Sequence, residues 1–181
     1  MDKLSPSDLV NAQAAYWDKQ SGDVDGMLGG YGHVAEVDVT SSTKLLATLL
    51  TPEQAANGLA LDCGAGIGRI AKDLLLPFGF QQVDLLDVSA AFLATATTSL
   101  ASSGRLGNTY CSGMAEFDFD TVANRRWTAI WVQWCAIYLT DAALVDFFNR
   151  AADALAEDGV IVLKENVIQG DGKRIEDHDD R

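Results

Sequence analysis

The segment Asp62-Cys63-Gly64-Ala65-Gly66-Ile67-Gly68-Arg69 constrains this chain more than any other. It follows a short apolar run, Leu59-Ala60-Leu61, and opens a stretch from Ile67 to Leu76 with helical pattern that stops near Pro77. Closely spaced glycines in that position describe a tight strand-to-helix turn whose backbone a ligand can approach. The helix start behind it offers N–H groups without intrahelical partners, which suit a carboxylate or a phosphate. The nicotinamide-dinucleotide fingerprint G-x-G-x-x-G is not met, because the third glycine comes one residue early and Arg69 takes its place.

Beyond this turn the chain alternates strands and helices. Gln82 to Asp87 reads as a second strand, Ala90 to Ser102 as an alanine-rich helix stopped by Gly104, and Asn108 to Ser112 as a third strand. Trp127 to Trp134 is a fourth strand, Asp141 to Ala156 a helix capped by Thr140, and Gly159 to Lys164 a fifth strand. Near-continuous apolar strands separated by helices predict an α/β fold, doubly wound and Rossmann-like, with both faces of a parallel sheet covered. Upstream, Ser5-Pro6-Ser7-Asp8 starts a helix running to about Gln20, and four glycines among residues 26–32 predict a loop. His33 to Val39 is expected to be short and extended, and Ser41 to Leu50 helical. We divide the chain into an N-terminal helical or lid extension (1–57), a Rossmann-like domain (58–165) and an acidic tail (166–181), within a single domain overall.

The 181 residues suffice for one core, with 48% hydrophobic and 22% charged residues. Thirteen basic residues face 26 acidic ones, a net charge of −13 that argues against broad binding to nucleic-acid phosphates. The three cysteines show no C-x-x-C spacing, so neither a disulfide framework nor a metal site is expected, and a reducing compartment is the default. There is no apolar leader and no run approaching the roughly 20 residues of a membrane span.

The residues that carry chemistry gather where strands end. Asp87 closes the second strand, where a nucleoside ligand's ribose hydroxyls would find an acceptor; the plain alternative is a turn acid. Met114 and Ala115 follow the third strand, where an adenine ring could lie. Gln133 sits between Trp131 and Trp134 at the end of the fourth strand; Trp127 reads as core. Asn166 follows the fifth strand, before an acidic tail that composition alone makes a solvated terminus. Tyr16 and Trp17, with the loop Gly26 to Gly32, form either a lid over the site or a packed aromatic face.

The D-x-G-x-G-x-G pattern resembles motif I of the S-adenosylmethionine-dependent methyltransferases. Further blocks narrow the likeness: Tyr16-Trp17, V-D-G-M-L-G-G-Y-G-H at Val24 to His33, L-D-C-G-A-G-I-G-R at Leu61 to Arg69, L-L-L-P at Leu74 to Pro77, I-W-V-Q-W at Ile130 to Trp134 and L-T-D at Leu139 to Asp141. From about Asn11 to Asp180 the chain closely resembles the eukaryotic alpha-N-terminal protein methyltransferases, which methylate the α-amine of proteins beginning Xaa-Pro-Lys or Xaa-Pro-Arg. The resemblance implies a class I methyltransferase fold, S-adenosyl-L-methionine as cofactor, protein N-termini as substrates, no nucleic acid, membrane or metal partner, and a cytoplasmic and nuclear location. Carried over, Gly64, Gly66 and Arg69 are the expected turn and contacts to the methionine carboxylate, Asp87 the ribose acceptor, Met114 and Ala115 the adenine neighbours and Gln133 a further cofactor contact. Tyr16, Trp17, Gly29 and Val34 would line the substrate channel, and Asn166 would orient the substrate amine. Aligning I-E-D-H-D-D with the family's acidic stretch needs one inserted residue. Asp179 then matches the catalytic aspartate, and Glu176 the acid that meets the substrate's Lys or Arg.

Two departures stand out. Tyr138 replaces the histidine that usually helps take the substrate's proton; a phenol with a pKa of about 10 is a poor base at neutral pH but can hydrogen-bond the amine. The family's following helix and C-terminal strand hairpin are lacking, which reads as a C-terminally truncated chain. These departures keep open a catalytically weak or inactive cofactor- or partner-binding protein, and a small-molecule methyltransferase on the same fold is the other rival.

Overall fold

The structure is a computed structural model that describes residues 6–17, 19–122 and 124–166. Five strands form one parallel sheet in the order β3-β2-β1-β4-β5: β1 (Leu59–Cys63), β2 (Gln82–Asp87), β3 (Leu106–Cys111), β4 (Trp127–Gln133) and β5 (Leu155–Lys164). The chain winds outward from β1 through β2 to β3, then crosses back to lay β4 on the other side of β1. That reversal between β1 and β4 is the switch point beside which open α/β sheets bind ligands.

Alternation along the central strands explains why both faces are covered. Ala60, Leu85, Ala129 and Trp131 enter one apolar cluster with Leu46, Leu74, Leu93 and Leu100. Their neighbours Leu61, Leu86, Ile130 and Val132 enter the opposite cluster with Phe117, Phe119 and Phe147. Burying successive side chains on opposite faces requires helices above and below. Helix α3 (Ala35–Leu49) and helix α6 (Ala90–Leu100) serve the first face, and α7 (Asp141–Asp153) the second. The two shortest helices before β1 are α2 (Val24–Met27) and α4 (Pro52–Ala56), the latter closed by a Thr51–Gln54 capping box.

The helix after β1 starts at Arg69, widens into a π turn over Ala71–Leu75 and ends as α5 (Leu76–Phe78). Pro77 cannot donate a backbone N–H and crowds the preceding turn, a recognised cause of such widening. Ser89 caps α6 by accepting from Phe92 N–H. Thr140 caps α7 by accepting from Ala143 N–H, as the sequence predicts.

Three expectations about secondary structure are corrected. His33 to Val39 is not extended: a 3-10 turn spans Gly32–Val34, and α3 already begins at Ala35, six residues before Ser41. The loop of residues 26–32 overlaps the end of α2. The fifth strand starts at Leu155 rather than Gly159, bent at Asp158, which has φ +58°, where the pairing with β4 shifts register. Trp127 and Trp131 are fully buried, and Trp127 donates its indole N–H to the buried Asp84, which also pairs with Arg125 at 2.6 Å.

Candidate functional site

A cleft of about 960 Å³, including its open mouth, lies over the C-terminal ends of β1, β2 and β4. Its floor is the glycine turn. Gly64, Gly66 and Gly68 all have positive φ, at +67°, +54° and +81°. Each also sits where a side chain would collide. A Cβ on Gly64 would lie 2.7 Å from Cys135 Cβ, one on Gly66 2.9 Å from Met27 Sδ, and one on Gly68 3.1 Å from Ala96 and Leu100. The first two let Cys135 and Met27 close on the turn, while Gly68 lets the helix after β1 pack against α6.

Two acids close the turn. Asp87, at the end of β2, accepts Gly66 N–H on Oδ2 at 2.7 Å and Ser89 N–H on Oδ1 at 2.8 Å. Asp62, at the end of β1, accepts Ala71 N–H at 3.0 Å. Burial pushes the Asp62 carboxyl up to about 7, against the opposing pull of that hydrogen bond and of the Arg69 charge. Both acids line the cleft.

Arg69 also lines the cleft, buried, with its guanidinium carbon 5.3 Å from the centre of the Trp134 ring. Trp134 follows β4 in a left-handed conformation, φ +55°, which turns the chain out of the sheet at the cleft's edge. Arg69 Nη1 donates to Asp38 Oδ2 at 2.8 Å. Asp38 carries no sequence signal of its own, because its segment, His33 to Val39, reads as extended. Asp38 is buried on α3 and also accepts from Gln133 Nε2 at 2.9 Å and from Lys164 Nζ. Burial acts to raise the Asp38 pKa, but the hydrogen bonds from Lys164, Arg69 and Gln133 outweigh it and hold the carboxyl below its ordinary value.

The N-terminal helix α1 (Pro6–Trp17) reaches the mouth of the cleft. Gln13 and Trp17, one turn apart, both line it. Gln13 Nε2 donates to the Tyr138 carbonyl at 3.2 Å, and the Trp17 ring meets Tyr138 edge-on at 6.2 Å. Burial raises the Tyr138 phenol above its usual 10.0, with a hydrogen bond from Trp17 partly opposing that rise. Beside it, Glu165 Oε1 accepts Ala136 N–H at 2.7 Å and so fixes the turn Ala136–Tyr138 to the end of β5. Burial also lifts the Cys135 thiol well above its ordinary range, which keeps it protonated.

The cleft therefore brings together Gly64, Gly66, Arg69, Asp87, Met114, Gln133, Trp17 and Tyr138. It is not lined by Ala115, Tyr16, Gly29 or Val34. The Ala115 carbonyl accepts from Arg150 Nη2 at 3.0 Å, Tyr16 is 37% exposed and packs edge-on against Trp17, and Gly29 is exposed with φ +58°. Val34 is half-buried at the start of α3. From the glycine-rich loop it is Met27 and Leu28 that face the cleft instead. Gln133 has its amide engaged, donating to Asp38 and accepting the Trp131 indole N–H at 2.8 Å. Asn166 is exposed just beyond β5. Asp179 and Glu176 lie outside the described residues. No group of three His, Cys, Asp or Glu side chains among the described residues could hold a metal ion.

Comparison with known proteins agrees with this geometry. A family model described as AdoMet dependent proline di-methyltransferase matches residues 6–181. N-terminal Xaa-Pro-Lys N-methyltransferase 1 of Xenopus tropicalis is 46% identical over 158 residues, covering 85% of this chain and 69% of the relative. The Homo sapiens protein of the same name is 43% identical over 157 residues, with the same two coverages. A solved SAM-dependent methyltransferase of Leishmania major superposes with a TM-score of 0.78 at 35% identity, over 92% of this chain and 65% of that one.

Proposed function

From the premise that the chain belongs to the AdoMet dependent proline di-methyltransferase family, we propose that it transfers methyl groups from S-adenosyl-L-methionine to the α-amine of proteins beginning Xaa-Pro-Lys or Xaa-Pro-Arg. The observation that carries this reading is the meeting of two features in one cleft: a glycine cradle flanked by Asp87 and Arg69, and an aromatic wall of Trp17 and Tyr138 brought in by α1.

The residues present fit the cofactor. Gly64 and Gly66 line the cleft with backbone bare of side chains, which a ligand can approach closely. Arg69 suits the methionine carboxylate, Asp87 the ribose and Met114 the adenine, the last being buried beside Cys135 at 3.6 Å. When bound, the cofactor supplies an already activated methyl group on a sulfonium.

What remains for the protein is alignment and one proton. A free α-amine has a pKa of about 7.7–8.0, so a sizeable minority is neutral at pH 7 and can act as nucleophile. Tyr138 stays protonated, so it holds the amine by hydrogen bonding rather than taking its proton. We assign proton acceptance to Asp179 and orientation of the amine to Asn166, which sits two residues beyond Lys164 at the end of β5. A proline at substrate position two has fixed φ and no N–H, a shape that a narrow aromatic channel selects. Glu176 is assigned to the substrate's following Lys or Arg.

The reading is tested by incubating the chain and cofactor with Ser-Pro-Lys and Ser-Ala-Lys peptides and mapping methyl groups by fragment mass spectrometry. Methyl groups on the terminal nitrogen of the proline peptide, with little on the alanine peptide, support it. Methylation of lysine side chains, or equal methylation of both peptides, contradicts it.

A further inference from the structure

We propose that Asp38 is a positioning residue for cofactor binding: it holds the Arg69 guanidinium in the orientation that receives the cofactor's carboxylate. This inference rests on the assignment of Arg69 to that carboxylate.

Arg69 is 7% exposed, so water cannot readily orient its donors. Asp38 takes Nη1 at 2.8 Å, and the Trp134 ring lies 5.3 Å from the guanidinium carbon. One edge of the planar fork is pinned and the group is walled, which leaves its other donors at a fixed angle. Asp38 is itself immobilised. Gln133 bridges both its oxygens at 2.9 Å, and Lys164, which also donates to Ser42 Oγ at 2.8 Å, takes Oδ1.

The charges favour the same role. Asp38 is one anion between two cations, Arg69 and Lys164, so the cluster keeps an excess positive charge for an incoming carboxylate. Without Asp38 the Arg69 charge still acts on Asp62, which lines the cleft. Arg69 would then be drawn toward the floor of the cleft and away from the ligand. Asp38 therefore sets direction rather than neutralising the site.

The test compares S-adenosylhomocysteine, which carries the carboxylate, with 5′-methylthioadenosine, which lacks the amino-acid end. Calorimetric affinities are measured for the full chain, Asp38→Asn, Arg69→Gln and the double variant. We expect Asp38→Asn to weaken S-adenosylhomocysteine by about tenfold or more and 5′-methylthioadenosine by less than about twofold. In the Arg69→Gln background the same change has little further effect. Asp38→Glu, which keeps the charge but shifts the oxygens, falls between wild type and Asp38→Asn for S-adenosylhomocysteine and covers the case in which Asp38→Asn does not fold. Equal weakening of both ligands, or an undiminished Asp38→Asn effect in the Arg69→Gln background, overturns the proposal alone. An Arg69→Gln chain that keeps the wild-type ratio of the two affinities overturns the Arg69 assignment and this proposal with it.

Discussion

Gly66 donates its backbone N–H to Asp87 Oδ2 at 2.7 Å, so the carboxylate that closes β2 also clamps the glycine turn that follows β1. One acid thus fixes the distance between the two halves of the cofactor cradle. Asp87→Ala removes that clamp together with the ribose acceptor. A lost hydrogen bond to a charged group is worth about 1.5–3 kcal/mol, so affinity for S-adenosylhomocysteine should fall about ten- to hundredfold by calorimetry. An unchanged dissociation constant would remove Asp87 from the cofactor site.

Gly64→Ala should weaken cofactor binding through two separable effects. The left-handed backbone at φ +67° is strained for alanine by about 1–2 kcal/mol, and the new Cβ would press on Cys135 at 2.7 Å. Adding Cys135→Ala relieves part of the second effect only, because the clash includes Sγ at 2.8 Å. The double variant should therefore bind more tightly than Gly64→Ala and less tightly than wild type. Identical affinities for the single and double variants would show that Cys135 does not confine the turn.

The Asp62 carboxyl titrates near 7 when folded, against an ordinary 3.8. The folded state then binds more protons than the unfolded state between those values. Its contribution to stability is fully present below the unfolded pKa and is lost as pH rises through the folded one. Urea-unfolding midpoints of the cofactor-free chain should fall from about pH 5 to about pH 8, and Asp62→Asn should flatten that decline. Parallel declines in the two chains would assign the proton uptake elsewhere.

Tyr138 lies against Trp17 with its phenol raised further from neutrality by burial. The rate is expected to climb with deprotonation of the substrate amine, whose ordinary pKa is about 7.7–8.0. Tyr138→Phe should lower the rate by less than about tenfold and leave that limb in place. Loss of the limb in Tyr138→Phe would make the phenol the proton acceptor.

The parts of this fold legible in the sequence are those encoded locally. The glycine turn, the strand-closing Asp87 and the Thr140 cap each announce themselves within a few residues. The start of α3 does not. Val34 supplies no side-chain cap, and Val37, Val39 and Thr40 favour extended backbone when read alone. What stabilises that turn is tertiary: Asp38 meets partners 31, 95 and 126 residues away. The same long reach hid Asp38 as a site residue, since no spacing rule links it to Arg69. It also explains why Met27, rather than Gly29, faces the cleft: the helical turn of α2 aims it at the bare backbone of Gly66.

The most direct measurement is methyl transfer from labelled S-adenosyl-L-methionine to a Ser-Pro-Lys peptide, run beside the same peptide with its α-amine acetylated. Label is expected in the free peptide and none in the acetylated one, because the α-nitrogen is the nucleophile and acetylation removes its basicity. Label in the acetylated peptide, or none in the free peptide from a chain that binds the cofactor, would contradict it.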